Sequence, residues 1–242
     1  MKARTTARHR SALIAVPAAL FAMAAPAAVA QEATPAPATI GVLEPAPELA
    51  QCEVPELGET PAVEGATVYQ IMPEESATRY RVAEELATVG VTEAVGETRA
   101  MAGAILLGED GLPVPCSRFD IDLRTLQSDS ARRDNYLYQN TLQTESFPLA
   151  TFVLRGAEGL DGPLVEGEET TFTLLGDLTL KDQTRLVAWE TTATLEGETL
   201  TGTAVTEFEM PEFAIEPPRV QIVVSLDETV RLEIDLSARR AS

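Results

Sequence analysis

The chain has 242 residues and carries 38 aspartates and glutamates against 18 lysines and arginines, which gives a net charge of −20. Because nucleic acids and anionic membrane surfaces repel so acidic a protein, this charge argues against both as partners. The only histidine is His9. Since histidine is the usual general base and a common zinc ligand, we expect no catalytic site and no metal site.

Residues 1–30 have the pattern of a cleavable signal peptide. Four basic residues precede an apolar run over 12–30, which ends in Ala-Val-Ala at Ala30, the small-residue pattern that signal peptidases recognise. We therefore predict cleavage after Ala30 and a periplasmic or secreted protein without stable membrane insertion. The alternative is an uncleaved membrane anchor, which two prolines within the run disfavour. Cleavage leaves 14 basic residues against 38 acidic ones, a net charge near −24.

Residues 31–77 contain seven prolines, nine glutamates and no basic residue. Such a composition cannot bury enough apolar surface to offset the entropy that an ordered chain loses. We interpret the segment as an extended, disordered tether that precedes the folded domain. The alternative for its last part is that 68–72 (Val-Tyr-Gln-Ile-Met) packs on the domain or adds a short strand.

The two cysteines of the chain are Cys52 and Cys116. Because exported proteins mature in an oxidising compartment, these two are predicted to form one disulfide that links the tether to the folded domain. In the chain-entropy account, a ring of this length contributes about 4 kcal/mol to the free energy of unfolding. The alternative is a pair of free thiols.

From Arg79 onward, apolar and polar residues alternate with period two, which is the pattern of strands with one buried face. In one such segment Phe119, Ile121 and Leu123 alternate with charged residues. Eight strands are predicted, near 79–88, 98–107, 115–124, 149–157, 170–181, 184–196, 198–208 and 227–238.

One helix interrupts the strands. Either Ser128 or Asp129 can cap the unpaired amides of a first helical turn, and the polar segment that follows runs to about Thr141. The predicted fold is therefore all-β, with eight antiparallel strands and one helix between strands 3 and 4. Eight strands suffice to close a barrel whose interior either fills with side chains or holds one small ligand.

The predicted interior mixes small residues with large aromatic ones. The small residues are Gly103, Ala150, Gly176, Ala193, Gly202 and Ala204. This mixture permits a ligand cavity, but small residues also allow strands to coil tightly in a solid barrel. The residues alone leave both alternatives open.

Four segments of the chain resemble the signatures of the YceI-like family and occur in the same order. They are 132–137 (Arg-Arg-Asp-Asn-Tyr-Leu, an RDxxL motif), 147–152 (Phe-Pro-Leu-Ala-Thr-Phe, yPxaxF), 176–180 (Gly-Asp-Leu-Thr-Leu, GxLTi) and 213–218 (Phe-Ala-Ile-Glu-Pro-Pro, FxIxPP). The resemblance runs from about Tyr80 to Ala238, within a domain at 78–240. It implies a lipocalin-like antiparallel barrel that binds a polyisoprenoid or a similar long amphiphile, such as a lipid or an isoprenoid quinone, and performs no chemistry.

The resemblance favours a ligand cavity over a solid core. The residues expected to contact the ligand are Phe119, Ile121, Tyr136, Leu137, Phe152, Phe172, Leu174, Leu178, Trp189 and Phe213. Two interpretations of the Arg-Asp motif stay open. In one, Arg132 or Arg133 lies at the barrel mouth and pairs with a diphosphate or quinone headgroup. In the other, Arg133 and Asp134 anchor the helix to neighbouring groups.

Two other classes of function compete with a carrier. An enzyme would need a tuned acid or base, but strand alternation directs Asp120 and Asp122 to solvent, where neither pKa is tuned. The second alternative is a secreted scaffold or stress-response module with no lipid ligand. The expected partner is a hydrophobic small molecule, no cofactor is expected beyond a bound isoprenoid or lipid, and the sequence sets no oligomeric state.

Overall fold

The computed structural model describes residues 40–44, 49, 63–218 and 223–241. They all belong to one compact unit, 37–242. Its strands are β1 (Gly41–Val42), β2 (Thr67–Ile71), β3 (Ala77–Leu86), β4 (Gly90–Thr98), β5 (Met101–Leu107), β6 (Arg118–Asp122), β7 (Gln127–Ser128), β8 (Leu149–Glu158), β9 (Thr170–Leu180), β10 (Gln183–Glu196), β11 (Thr199–Glu209), β12 (Val223–Leu226) and β13 (Thr229–Arg240). The helical segments are α1 (Ala131–Tyr136), a π-helical turn (Leu137–Thr141) and 3-10 turns at Pro73–Glu75, Leu123–Thr125 and Met210–Phe213.

Eight of the described strands close into a barrel. Their order around the ring is β2, β5, β6, β8, β9, β10, β11 and β13, and β13 pairs with β2 to complete the circuit. Every one of these pairings is antiparallel. The structure thus confirms the predicted eight-stranded antiparallel barrel with one short helix, which lies between the third and fourth strands of the ring. The first strand of the ring is β2, however, and not the predicted strand near 79–88, which is β3.

Strands β3 and β4 continue the barrel wall beyond β2 and β5. β3 pairs with β13 and with β4, and β4 leads directly into β5. The second predicted strand, 98–107, corresponds to β5, and β4 is an additional strand that was not predicted. The prediction missed β4 because Gly90 and Gly96 lower its strand propensity and it carries few large apolar residues.

The predicted tether is wrong at its C-terminal end. Residues 67–71 form β2, whose Tyr69 and Ile71 side chains are buried in the barrel wall. The alternative of an added strand at 68–72 is therefore the one observed. Pairing with β5 and β13 satisfies the backbone of this segment and outweighs its acidic, proline-rich surroundings. Most of 31–62 lies outside the described residues.

The helix begins two residues later than predicted. The Ser130 hydroxyl accepts a hydrogen bond from the backbone amide of Arg133, which caps α1. The π-helical turn then carries the chain to Thr141, the predicted end. α1 itself buries no residue completely.

A ladder of charges crosses the outer face of β11, β13, β3 and β4. Arg231 pairs with Glu207 and with Glu233 at 2.9 and 3.0 Å. Arg81 pairs with the same Glu233 at 2.9 Å and with Glu93 at 2.7 Å. Burial opposes the ionisation of Glu233, but the hydrogen bonds from the two arginines outweigh it and lower the pKa of Glu233 below its usual range. Glu233 is therefore ionised at neutral pH and stabilises the folded state.

We expect Glu233→Gln to lower the free energy of unfolding at pH 7 by roughly 0.2 to 1 kcal/mol, because it removes the shared carboxylate of an exposed ladder. Since the folded-state pKa is lowered, the stabilisation is present above the ordinary glutamate pKa and is lost as the pH falls through the folded value. Urea denaturation between pH 7 and pH 3 should show the two proteins converging in acid. A constant difference across this range would contradict the prediction.

Candidate ligand-binding site

The largest of the described cavities lies beneath the helical segment. Its volume is about 220 Å³. The segment that covers it, residues 130–141, is called the helical cover below. The lining residues are Tyr80, Val82, Glu84 and Leu86 of β3, Ala94 of β4, Ser130, Arg132, Arg133, Tyr136, Leu137 and Thr141 of the cover, and Met210, Pro218, Val223 and Leu226. We call it the mouth cavity.

Two smaller cavities lie further into the barrel. The middle cavity, of about 60 Å³, is lined by Thr78, Arg79, Tyr80, Phe119, Ile121, Leu123, Leu126, Ala150, Thr151, Phe152, Leu178, Leu180, Trp189, Leu232 and Ile234. The inner cavity, of about 80 Å³, is lined by residues that include Ile105, Leu107, Phe119, Phe152, Leu164, Phe172, Leu174, Ala193, Leu200, Ile234 and Leu236. The expected lumen is thus not one continuous channel but a set of compartments.

Most of the residues predicted to contact a ligand line these cavities. Tyr136 and Leu137 face the mouth cavity, together with Arg132 and Arg133. The others are divided between the middle and inner cavities: Phe119, Ile121, Phe152, Leu178 and Trp189 line the middle one, and Phe119, Phe152, Phe172 and Leu174 line the inner one. Phe213 is different, because it is fully buried against Phe208, with ring centroids 4.6 Å apart. It belongs to the packed core and not to the lining of these three cavities.

The mouth cavity also contains three residues of β3 that were not predicted from the sequence as site residues: Tyr80, Val82 and Leu86. Their spacing of two residues within a predicted strand was a signal that they share one face. What could not be foreseen was that the helical cover would lie over this face, since that depends on how β3 and β4 extend beyond the closed ring.

Unpaired polar atoms accompany these cavities. Four buried side-chain polar atoms of the described residues have no hydrogen-bond partner: Thr78 Oγ1, Tyr80 Oη, Thr141 Oγ1 and Trp189 Nε1. All four residues line the mouth or the middle cavity. Because an unpaired buried polar group costs about 1 to 3 kcal/mol, proteins rarely leave one without a reason.

The Tyr80 hydroxyl stays protonated over the physiological range. Burial raises the pKa of Tyr80 to about 12, although the nearby Arg133 charge opposes the rise. A neutral hydroxyl both donates and accepts a hydrogen bond. Tyr80 can therefore bind an uncharged oxygen group in the mouth cavity.

Arg133 is engaged by acidic side chains and does not project freely into the cavity. Its Nη2 atom lies 2.8 Å from Glu84, whose side chain is only 5% exposed, and its Nη1 atom pairs with Asp129. Asp134 accepts hydrogen bonds from the Ser128 amide and hydroxyl at 2.9 and 2.6 Å. These contacts anchor the helical cover to β3 and β7.

Arg132 is placed differently from its neighbour. It is exposed at the rim of the mouth cavity, and no ion pair with another described residue holds it. The two arginines of the motif thus have separate surroundings. Arg133 is tied to the fold, and Arg132 remains accessible to solvent and to a guest.

The expectation that Asp120 of β6 faces solvent is wrong. Asp120 is only 8% exposed, because Arg118 binds it at 3.0 Å and the Thr151 hydroxyl donates to it at 2.6 Å. Asp122 remains partly exposed, and hydrogen bonds from Arg124 lower its pKa despite partial burial. An ionised, paired carboxylate is a poor general acid.

Two further findings concern the described residues alone. They contain no group of three or more histidine, cysteine or acidic side chains placed to hold a metal ion. None of their helices has the length and apolarity needed to cross a membrane.

Cys116 is disulfide-bonded. Cys52, its predicted partner, lies outside the described residues. The pairing of these two cysteines stays a prediction.

An antiparallel barrel of eight strands either fills with side chains or holds one small ligand, and this barrel keeps apolar cavities in its interior. The sequence profile described as YceI-like domain matches residues 69–238, from β2 to β13. The chain belongs to the YceI-like family. No curated protein matches it.

Solved structures share the fold at low sequence identity. A polyisoprenoid binding domain from Saccharophagus degradans, implicated in plant cell wall breakdown, is 12% identical with a TM-score of 0.58, over 72% of this chain and 98% of that one. BcnA of Burkholderia cenocepacia is 15% identical with a TM-score of 0.51, over 69% and 99%. The YCEI protein of Campylobacter jejuni is 14% identical with a TM-score of 0.51, over 61% and 85%.

We expect Arg133→Ala to lower the free energy of unfolding by roughly 3 kcal/mol, because it leaves Glu84 charged, buried and unpaired. Arg132→Ala is the matched control and should change stability by less than about 0.5 kcal/mol. Combining Arg133→Ala with Glu84→Gln should recover part of the loss. Urea denaturation measures all three, and equal stability of the two single variants would show that the ion pair does not anchor the cover.

Proposed function

We propose that the protein is an exported, non-catalytic carrier that binds a polyisoprenoid or a similar long-chain amphiphile, such as a lipid or an isoprenoid quinone, inside the barrel. The observation that carries the proposal is the set of four buried polar atoms without partners, all on residues that line two apolar cavities. A guest with a hydrocarbon tail and an oxygen-bearing end would complement both features. The polyisoprenoid-binding relative from Saccharophagus degradans supports the same class of ligand.

Tail burial supplies enough free energy for such binding. Full burial of a five-carbon isoprene unit contributes at most about 4 kcal/mol, at about 0.8 kcal/mol per methylene. Several units are needed to exceed an association cost of about 4 to 15 kcal/mol. Long tails should therefore bind more tightly than short ones.

The charges around the mouth cavity favour an uncharged polar end. Glu84 offsets the positive charge of Arg133, and both line the cavity. A diphosphate would meet one available guanidinium, Arg132, at the rim. Tyr80 and Thr141 instead provide two neutral hydroxyls within the cavity, which suit an alcohol, phenol or quinone oxygen.

Export completes the proposal. The basic and apolar segments of 1–30 support cleavage after Ala30 and a periplasmic or secreted location. The acidic mature chain would not be held on anionic headgroups. A lipid would therefore be bound through its tail in the barrel and not through a basic surface.

The second candidate function is a secreted scaffold or stress-response module that binds no lipid. The small size of the middle and inner cavities favours it. Free volumes of only about 60 and 80 Å³ mean that the protein's own side chains fill most of this part of the barrel. The two functions differ in one observable property, the presence of a retained guest.

We expect native mass spectrometry of the protein purified from its own host to show a lipid-sized adduct, because a carrier keeps its guest while the barrel stays closed. After extraction with organic solvent, refolded protein should regain an adduct of defined mass on incubation with geranylgeraniol. A chain that carries no adduct and takes up none would support the scaffold.

We expect Tyr80→Phe to weaken geranylgeraniol binding by roughly two- to tenfold, the equivalent of one hydrogen bond. Binding of squalene, which has no polar end, should be much less affected because the ring remains. The wild-type protein should also bind geranylgeraniol more tightly than geranylgeranyl diphosphate. Calorimetry tests both statements. If the diphosphate binds more tightly and Arg132→Ala removes that advantage, Arg132 holds the headgroup instead.

A further inference from the structure

Four side chains, three of them aromatic, each line two of the three cavities. Tyr80 lines both the mouth and the middle cavity. Phe119, Phe152 and Ile234 line both the middle and the inner cavity. A tail that extends from the mouth into the barrel must therefore pass Tyr80 first and the phenylalanine pair second.

We call Tyr80 the outer partition and the Phe119–Phe152 pair the inner partition. In each partition, one aromatic ring lies against a glycine. Gly96 lies directly across from Tyr80 in the β3–β4 ladder, and a Cβ atom at Gly96 would overlap the Tyr80 ring. Likewise, a Cβ atom at Gly176 of β9 would overlap the Phe152 ring. The missing side chains leave room for the rings to lie against the barrel wall, so these glycines set how far each ring projects into the interior.

The two partitions differ in how firmly they are held. Phe152 stacks on Phe119 with ring centroids 5.0 Å apart and meets the edge of Trp189 at 5.8 Å. The Tyr80 ring takes part in none of the aromatic contacts among the described residues, and its hydroxyl has only a weak interaction with the Ser128 side chain. The outer partition is consequently the easier one for a tail to displace.

We propose that Tyr80 and the Phe119–Phe152 pair determine which tail lengths the barrel accepts. The inference rests on the proposed function and adds residues that set its specificity. Each methylene that enters free apolar space raises the affinity about fourfold, whereas carbons that must displace a ring gain less. Affinity should therefore rise with tail length in steps, with one interruption at each partition.

The only tryptophan of the chain reports the first step. Trp189 lines the middle cavity and does not line the mouth cavity. Geraniol, farnesol, geranylgeraniol and solanesol are titrated separately into the full-length mature protein, with affinity measured by calorimetry and Trp189 emission recorded in parallel. The shortest alcohol that binds should leave the emission unchanged, and longer ones should shift it. An equal shift at every length would overturn the role of Tyr80.

Glycine variants move the outer partition inward. In Gly96→Ala the three atoms nearest to the new methyl group all belong to the Tyr80 ring, so we expect the methyl group to push this ring toward the interior. Short alcohols should still bind, while alcohols that shift Trp189 emission in the wild type should lose about tenfold or more in affinity and lose the emission change. Gly162→Ala is the matched control, because a Cβ atom there meets open space.

Removal of the inner partition should have the opposite effect. Phe119→Ala joins the middle and inner cavities, and solanesol should gain about tenfold in affinity while geraniol does not. Phe119→Leu, which keeps more of the packing, serves if the alanine variant unfolds, and thermal denaturation checks both. If neither variant changes the dependence of affinity on tail length, the inferred role of the inner partition is wrong.

These experiments distinguish failure of the carrier function from failure of the partition inference. If no alcohol of any length binds the wild-type protein, the carrier function fails and the partitions have nothing to select. If alcohols bind with a smooth dependence on length that Gly96→Ala and the Phe119 variants leave unchanged, the carrier function stands and the partition inference alone is overturned.

Discussion

The ladders made by β13 hold the barrel closed. Along one edge β13 pairs with β11 from Thr229 to Arg239, and along the other it pairs with β2 and β3. Without this strand the sheet would have two open edges. With it, every inward side chain of the ring is confined to one enclosed interior, so the size and polarity of these side chains decide what the protein can hold.

The confined interior explains why glycines and unpaired polar atoms matter together. Gly96 and Gly176 create the space in which Tyr80 and Phe152 lie. The same enclosure leaves the Tyr80 hydroxyl and the Trp189 indole without protein partners. In an open sheet water would satisfy these groups, whereas in a closed barrel only a trapped water or a guest can do so.

The sequence predicted elements with strong local signals and missed those that depend on distant contacts. The strict alternation of β13 and the capping residues before α1 are local, and both elements were predicted within a few residues. β2 lies within a proline-rich, acidic stretch and β4 contains two glycines. Both become strands because the rest of the sheet offers them pairing edges. The pairing of Arg133 with Glu84 and the hydrogen bond from Thr151 to Asp120 were likewise not predictable, since each joins distant segments and requires the folded register.

The helical cover and the barrel are held together by different kinds of interaction. α1 buries no residue completely and is fastened to β3 by the polar contacts of Arg133, while the barrel beneath it is held by continuous backbone ladders. Local detachment of such a segment requires less free energy than global unfolding. Were the barrel to hold a guest, detachment of the cover would release it while the backbone ladders stay paired.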